Sequence, residues 1–157
     1  MGTEIERKFL VKNDRWRGKG PATDYRQGYL TSDPRRTVRV RIAGDRAWLT
    51  IKSKPVGAVR SEFEYEIPPA DAEQLLTLCD EPLIEKTRHR IDHHGRLWEV
   101  DEFHGANAGL VVVECELEHE DEAIDPPDWL GREVTGDERY YNASLIASPY
   151  TSWSQAE

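Results

Sequence analysis

Residues 3–11 read TEIERKFLV, and this stretch decides the fold because its charged and apolar side chains alternate. Successive side chains of a β-strand point to opposite faces, so Glu4, Glu6 and Lys8 share one face and the apolar residues share the other. The same period of two recurs along most of the chain, whereas a helical period of 3.6 is rare. The sequence therefore predicts a protein dominated by antiparallel strands.

Outward from this stretch, the alternation predicts about eight strands. They lie near residues 4–11, 25–31, 37–42, 47–53, 61–67, 84–92, 96–103 and 110–118. Gly44-Asp45 and His94-Gly95 are tight-turn dipeptides between neighbouring strands. They predict consecutive antiparallel hairpins.

Helical patterns are few. Asp71 is a candidate N-cap for a helix whose apolar residues recur at helical spacing over 72–79, and this helix is expected on the outside of the sheet. A weaker helical pattern runs from 140 to 146 and stops before Pro149. Residues 126–131 have the composition of a loop. The two helices are therefore expected to flank the strands.

Composition and charge exclude several classes of protein. A chain of 157 residues with 38% hydrophobic and 32% charged residues is ordinary for one globular domain. We expect a single domain over 1–150 and a disordered tail over 151–157. The 21 Lys and Arg against 30 Asp and Glu leave a net charge of −9, which repels nucleic acid and anionic membranes.

Hydrophobic runs and cysteine spacing predict where the protein is located and which partners it lacks. The longest aliphatic run, 110–113, is far shorter than the roughly 20 residues of a membrane-spanning helix. The first residues lack the architecture of a signal peptide, and Cys79 and Cys115 form no C-x-x-C pair. We therefore expect a cytoplasmic protein with reduced thiols and with neither a nucleic-acid nor a membrane partner.

The polar faces of the strands carry stripes of like charge. The stripes beyond the first strand are Arg39 and Arg41; Lys52; Glu62, Glu64 and Glu66; Lys86, Arg88 and Arg90; Glu99 and Asp101; and Glu114, Glu116 and Glu118. They are either the solvated face of an open sheet or the lining of a closed barrel. Neighbouring like charges destabilise a sheet unless opposite charge lies between them, which favours the lining. Acidic stripes would then hold divalent cations and basic stripes a polyanion.

Other catalytic patterns are missing from the sequence. It has no P-loop, zinc-protease, nucleophile-elbow or dinucleotide motif. The five histidines do not have zinc-ligand spacing, and His93-His94 is typical of a turn. Cys79 is typical of a small core residue, whereas Trp48 shares a face with basic Lys52 and is a candidate ligand contact. A metal-dependent phosphate site is the chemistry that the residues favour.

The E-x-E-x-K pattern of residues 4–8 resembles the opening of the CYTH superfamily, the triphosphate tunnel metalloenzymes. The resemblance continues in order through RQGYL at 26–30, VRVR at 38–41, LTIKS at 49–53, EFEYE at 62–66, EKTR at 85–88, WEVD at 98–101, VECE at 113–116 and EVTGDERY at 133–140. It implies a mainly β fold with flanking helices (α+β), in which an eight-stranded antiparallel β-barrel forms a charged tunnel.

The resemblance also implies roles for the charged residues. The triphosphate would be bound by Lys8, Arg39, Arg41, Lys52, Lys86, Arg88 and Arg139. The acidic set is Glu4, Glu6, Glu62, Glu64, Asp101, Glu114 and Glu116, of which Glu4, Glu6, Glu114 and Glu116 are the first choices as ligands of Mg²⁺ or Mn²⁺. Lys8 and Tyr29 would act near the leaving phosphate. Lys54 and Asn142 depart from the pattern of the family.

The function implied is metal-dependent hydrolysis of inorganic triphosphate, with weaker nucleoside triphosphatase activity. The compact chain shows no extra segment to grip a base, which favours the bare anion as small-molecule substrate. A thiamine triphosphatase or a class IV adenylate cyclase on the same barrel is the enzymatic alternative. A non-catalytic polyphosphate-binding module, a carrier barrel with an apolar lumen, and a homodimer as the assembly all stay open.

Overall fold

The structure is a computed structural model that describes residues 2–31, 33 and 35–153. This part of the chain forms nine strands: β1 Gly2–Val11, β2 Ala22–Thr31, β3 Arg36–Ala43, β4 Arg46–Ser53, β5 Val59–Ile67, β6 Ile84–His93, β7 Arg96–Phe103, β8 Val111–Glu116 and β9 Leu130–Glu133. The helices are α1 Pro69–Leu76 and α2 Asn142–Ala147, with 3₁₀ helices at Gly105–Asn107, Glu138–Tyr140 and Tyr150–Ser152.

Eight of the strands close into an antiparallel barrel, as predicted. The order is β5-β4-β3-β2-β6-β7-β8-β1, and β1 closes the ring because it pairs with both β5 and β8. The hairpins are local, and Gly44, His94 and Gly95 adopt the positive φ angles of their turns. The pairs β1–β5 and β2–β6 join strands that are distant in sequence, and so they were not visible in the alternation.

Residues 126–131 were expected to be a loop, but the last two of them belong to the strand β9, so that expectation is wrong for residues 130 and 131. Leu130 pairs with Val11, and Glu133 pairs with Phe9. β5 covers only the first half of the same β1 edge, as far as Ile5. β9 therefore supplies hydrogen-bond partners to the half of the edge that β5 leaves uncovered.

Closure turns the charged faces inward and the apolar faces outward. The outer face of β1, β6, β7 and β8 packs around Trp98, which is fully buried. Trp16 and Trp129, from the segments between strands, cover this face and are also buried. We expected helices to cover the apolar face. This expectation is wrong for these four strands, because tryptophans from the loops cover them.

α1 covers the outer face of β2, β3 and β4, as expected. Its buried residues Ala72 and Leu76 form one core with Val40 and Ala47. Gly28 of β2 allows this approach, because a Cβ there would lie 2.7 Å from Leu83 Cδ2 and 2.8 Å from Cys79 Cβ. The close packing leaves no room for any larger side chain.

The helix α1 begins three residues earlier than predicted. Its first residue is Pro69, it follows the extended Pro68, and no side chain caps it, so the expected Asp71 cap is wrong. Proline has no N–H to satisfy, and therefore it suits the first turn without a side-chain cap.

α2 departs from the expectation that both helices flank the barrel. The predicted helix over 140–146 is divided into the 3₁₀ helix Glu138–Tyr140 and α2. Leu145 and Ile146 pack with Phe103 and Val112, which share the inward parity of Asp101 and Glu114. α2 therefore packs against the apolar lining at one end of the barrel.

Residues 150–153, which follow Pro149, are packed against the rest of the fold. Tyr150–Ser152 forms a 3₁₀ helix, and the Trp153 ring meets the rings of Tyr140 and Tyr150 edge to face at 5.3 and 5.1 Å. The disordered tail predicted over 151–157 is therefore wrong for 151–153, and 154–157 lie outside the described residues. Within the described ranges, no helix has the length and apolar character needed to span a bilayer.

Candidate active site

The inward faces of the barrel strands line a cavity of about 470 Å³. Side chains of α2 and of Tyr141 complete its wall. The cavity brings together most of the residues singled out from the sequence: Glu4, Glu6, Lys8, Tyr29, Arg39, Arg41, Lys52, Glu62, Glu64, Lys86, Arg88, Glu114 and Glu116. Trp48 and Lys54 line it as well. The predicted orientation of the charged stripes toward one enclosed space is confirmed.

Asp101 does not line the cavity, although the resemblance placed it in the acidic set. It is 1% exposed and accepts hydrogen bonds from Lys86 Nζ at 2.7 Å and from Arg88 Nε at 2.7 Å. Burial opposes its ionisation, but the two cations hold its pKa well below the ordinary range. Asp101 therefore orients two cations from behind, where it is out of reach of a metal ion in the cavity.

Arg139 is the second of the predicted site residues that do not line the cavity. Its guanidinium pairs with Asp137 at 2.9 Å. The rings of Tyr140 and Trp153 lie 5.4 and 5.5 Å from it. The predicted contact of Arg139 with the triphosphate is not supported by this placement.

The basic wall has guanidinium donors without a partner among the residues that the structure describes. Arg39 Nη2 donates to Thr50 at 3.2 Å and lies 3.5 Å from a Glu64 oxygen, but its buried Nε has no partner among the described residues. Arg41 Nε donates to Gln27 at 2.7 Å, and no carboxylate of the described residues lies within 4.0 Å of it. Burial without a hydrogen bond is costly for Arg39 Nε, and a cation without a carboxylate partner is costly for Arg41, so both guanidiniums favour an anionic ligand.

Crowding of cations strengthens this preference. Burial first, and then the charges of Arg39 and Arg88, lower the pKa of Arg41. The Tyr25 ring lies 4.7 Å from the Arg41 guanidinium and 5.1 Å from that of Arg88, which partly offsets the repulsion. Because a guanidinium stays charged in proteins, the remaining repulsion is relieved best by a polyanion.

The acidic wall has a matching excess of negative charge. Glu6 and Glu116 lie directly opposite each other in the β1–β8 register. Burial, and after it the charge of Glu114, raises the pKa of Glu6 to about 7. Burial, and then the charges of Glu4 and Glu62, raises the pKa of Glu116. The cation near Glu6 is Arg60, whose Nη2 lies 3.7 Å from a Glu6 oxygen. Oxygen ligands whose negative charge is only partly compensated fit a hard divalent cation.

The other two first-choice ligands already have cationic partners. Glu4 lies 3.1 Å from Lys52 Nζ and 3.1 Å from Arg60 Nε, and these cations lower its pKa against the effect of burial. Burial also opposes ionisation of Glu114, but Lys8 at 3.5 Å and Arg88 at 3.4 Å hold its pKa at about 2. Glu6 and Glu116 are therefore the pair with the least compensation.

Glu62 and Glu64 sit at the same wall but on the β5 side. Glu62 lies 3.6 Å from Lys52, whereas Glu64 accepts a hydrogen bond from Thr50 at 2.8 Å and faces Arg39. Their side chains are 29% and 41% exposed, more than those of Glu4 and Glu6. They are placed to meet a ligand that enters the cavity.

Lys8 and Tyr29 both line the cavity. Lys8 Nζ lies 5.4 Å from the centroid of the Tyr141 ring in addition to its contact with Glu114. Tyr29 is 5% exposed, and none of the described side chains hydrogen-bonds to its hydroxyl. The hydroxyl is therefore available to a ligand.

Arg60 and Tyr141 line the cavity although neither was predicted as a site residue, and Asn142, noted only as a departure from the family pattern, lines it as well. Arg60 has the same parity as Glu62, but the predicted strand began at 61, whereas β5 begins at Val59. A strand two residues longer would have included Arg60 in the charged stripe. Tyr141 and Asn142 lie outside any alternating pattern, and only the packing of α2 places them in the wall.

A separate group of candidate metal ligands lies outside the cavity. Single ligand atoms of His93, His94 and Asp125 lie within 4.8 Å of one another. The two imidazole rings stack at 3.9 Å, in the β6–β7 hairpin that the sequence predicted as a turn. Imidazole suits transition metals better than Mg²⁺, so this group is chemically distinct from the carboxylates of the cavity.

Comparison with known proteins identifies the family. Residues 2–150 match the CYTH domain. The chain belongs to the CYTH family. This CYTH chain is 46% identical to a protein of Acetivibrio thermocellus named inorganic triphosphatase, over 99% of this chain and 100% of the relative. It is 40% identical to another inorganic triphosphatase, from Nitrosomonas europaea, with 93% of this chain and 98% of the relative covered.

Solved structures agree with the fold of the CYTH chain. The crystal structure of the inorganic triphosphatase NE1496 matches it with a TM-score of 0.69 and 39% identity, over 94% of this chain and 97% of that one. The PH1012 protein from Pyrococcus horikoshii matches with a TM-score of 0.56 and 17% identity, over 75% and 81% of the two chains. The latter likeness is one of fold alone. The resemblance inferred from the sequence motifs is confirmed.

Proposed function

We propose that this CYTH chain hydrolyses inorganic triphosphate with the help of a divalent cation, Mg²⁺ or Mn²⁺. The observation that carries the proposal is the opposition, in one cavity, of two kinds of unsatisfied charge. Arg39 and Arg41 have donors that no described carboxylate occupies, and Glu6 and Glu116 have raised pKa values. Relatives of almost the same length are named inorganic triphosphatase, which supports the same conclusion.

The basic wall would bind the phosphates. Arginine donors on Arg39 and Arg41 match phosphate oxygens, and Arg88 is held in place by Asp101 behind it. Binding the anion there satisfies the donors and relieves the repulsion between the cations. Phosphoryl transfer depends mainly on positioning and on neutralising charge, and a rigid wall of cations supplies both.

The acidic wall would hold the cation. The carboxylates of Glu6 and Glu116 fit Mg²⁺ or Mn²⁺, because they are oxygen donors, face each other and have no close cation to neutralise them fully. A bound divalent cation supplies polarisation of phosphoryl oxygens and a lowered pKa of attacking water. Glu4 would become available once Lys52 and Arg60 turn toward the incoming phosphates, and Glu114 once Lys8 and Arg88 do so.

Lys8 and Tyr29 would act on the leaving phosphate. Lys8 supplies a positive charge that is already held beside Glu114, and Tyr29 supplies a hydroxyl free to donate a hydrogen bond. Both would stabilise the negative charge that accumulates as the phosphoanhydride bond breaks. Neither group has to move a proton from another protein side chain to do so.

The cavity also bears on substrate choice. Charged groups dominate the lining of the cavity, whereas sites for organic ligands are mostly apolar. The lining therefore favours the bare triphosphate over a substrate with a large organic part. Trp48 offers one aromatic face to a base, which supports a weaker nucleoside triphosphatase activity.

We further propose that the protein works in the cytoplasm, with the small-molecule triphosphate as its partner. Cys79 and Cys115 are both buried free thiols, which suits a reducing compartment. The homodimer stays a prediction.

The test is a substrate panel. Phosphate release is measured from tripolyphosphate, ATP and thiamine triphosphate, with Mg²⁺, with Mn²⁺ and with EDTA. We expect the fastest release from tripolyphosphate, dependent on the cation and lost in Lys8→Ala. Lys19→Ala is the matched control, because Lys19 is exposed. Equal, metal-independent release from all three substrates would contradict the proposal, whereas preference for thiamine triphosphate or formation of cyclic AMP would favour the alternative enzymes.

A further inference from the structure

Two amide side chains, of the buried Gln27 and the half-buried Asn142, connect two cations of the basic wall. Asn142, the first residue of α2, accepts hydrogen bonds at its Oδ1 from Lys86 Nζ and from Gln27 Nε2, both at 3.0 Å. Gln27 is completely buried on β2, and its Oε1 accepts a hydrogen bond from Arg41 Nε at 2.7 Å. A continuous chain of hydrogen bonds therefore runs from Lys86 through Asn142 and Gln27 to Arg41.

The chemistry of Lys86 and Arg41, at the two ends of this hydrogen-bond network, fixes which group donates at each step. Lysine and arginine can only donate, so each end requires an acceptor. Asn142 must present its oxygen to Lys86, and Gln27 must present its oxygen to Arg41. The Gln27 amino group is then left to donate to Asn142. Turning over either amide would place a donor against a donor, so the network holds the Arg41 guanidinium in one orientation.

The amides also differ in charge from the partners of the other cations. Arg88 is paired with Asp101 at 2.7 Å, and Lys52 with Glu4 at 3.1 Å. Arg41 has no ion pair with a carboxylate among the described residues. Its hydrogen-bond acceptor is the neutral amide oxygen of Gln27. An amide satisfies a donor without cancelling the positive charge, and so Arg41 keeps its full charge for a ligand.

We propose that Gln27 and Asn142 are positioning residues that aim Arg41 at the triphosphate while leaving its charge uncompensated. This inference rests on the proposed function. Through Asn142, the helix α2 becomes part of the phosphate site as well as an apolar cover for the end of the barrel. A carboxylate in place of Gln27 would keep an acceptor for Arg41 but would neutralise its charge. A carboxylate in place of Asn142 would add negative charge to the same network beside Lys86, which is already paired with Asp101.

The decisive comparison is between Gln27→Glu and Gln27→Met, which have nearly the same size. Gln27→Glu keeps an acceptor for Arg41 and adds a negative charge, whereas Gln27→Met removes both hydrogen bonds and adds none. We expect the KM for tripolyphosphate to rise by about tenfold or more in Gln27→Glu, and by less in Gln27→Met, because a paired arginine binds an anion less strongly. A purely structural role predicts the reverse order, since the methionine leaves a buried guanidinium unsatisfied.

Two further variants complete the experiment. Asn142→Asp keeps both acceptor contacts at a half-buried position, and we expect it to raise KM in the same direction with little change in Tm. Gln74→Glu on the exposed face of α1 makes the same change in net charge away from the site, and its KM should match that of the wild type. Asn142→Asp decides the question if the Gln27 variants do not fold.

The outcomes separate this inference from the function on which it rests. A wild-type protein that neither binds nor hydrolyses tripolyphosphate would overturn both. A wild-type protein that hydrolyses tripolyphosphate, together with folded Gln27→Glu and Asn142→Asp variants of unchanged KM, would overturn the positioning role alone. A larger KM in Gln27→Met than in Gln27→Glu would do the same.

Discussion

Glu6→Gln is expected to stabilise the metal-free protein in a way that depends on pH. Glu6 faces Glu116 and lies close to Glu4 and Glu114, and its pKa rises from 4.5 to about 7 in the folded protein. The native state therefore holds this proton more tightly than the unfolded chain does. Stability is lost as the pH rises from the unfolded pKa to the folded one, because the carboxylate must then ionise inside the cavity.

The size of the effect follows from the two pKa values. A tenfold change in proton affinity is worth about 1.4 kcal/mol, so ionising Glu6 costs the folded protein about 3 kcal/mol at about pH 8. At about pH 5 the folded carboxyl is protonated, and the cost falls below about 1 kcal/mol. Glutamine is neutral at both pH values and has nearly the same shape. Glu6→Gln should therefore gain about 3 kcal/mol near pH 8 and little near pH 5.

Urea denaturation with EDTA present, at the two pH values, measures this difference. The same variant should lose metal-dependent phosphate release, since Glu6 is a proposed ligand. Glu120→Gln, at an exposed position with no ion pair to a described residue, is the matched control. An equal change in stability at both pH values, or a loss of stability near pH 8, would refute the reasoning.

Three other variants test the assignment of roles. Arg41→Ala should raise the KM for tripolyphosphate by about tenfold or more with a small change in Tm, because its guanidinium has no carboxylate partner among the described residues; initial rates and thermal melting check this. Asp101→Asn should cost about 3–5 kcal/mol in urea denaturation, because it leaves the buried Lys86 without its carboxylate partner and weakens the contact with Arg88, which keeps only Glu99 and Glu114. Arg139→Ala should leave kcat/KM within about twofold of the wild type, because Arg139 lies outside the cavity lining, and a loss of about a hundredfold would restore it to the phosphate site.

The acidic wall illustrates a conflict between stability and function. Glu6 and Glu116 would be more stable as neutral groups, since burial and like charges raise the pKa of both. The same uncompensated charge is what favours a divalent cation. Cation binding and protonation should therefore compete at this pair, and selection for activity retains a cost that selection for stability would remove.

Much of the architecture can be read from the alternation alone. A period of two shows strands, and it assigns Glu4, Glu6 and Lys8 to one face without reference to any other residue. Turn dipeptides such as Gly44-Asp45 show which strands form hairpins. These properties are local, because each depends on residues a few positions apart. The ordered set of motifs then identifies the family, whose closed barrel turns the charged faces inward.

Long-range contacts decided the rest. Whether a carboxylate is compensated depends on partners far along the chain: Glu4 meets Arg60, whereas Asp101 lies behind Lys86 and outside the cavity. Asn142 enters the wall only because α2 folds back onto the end of the barrel. The alternation has a period of two residues whichever strands pair with it. It therefore determines the face on which a side chain lies, but not the charge of the residues that the side chain contacts. How strongly each side chain binds a ligand depends on these contacts between charged groups, which exist only after the barrel has closed.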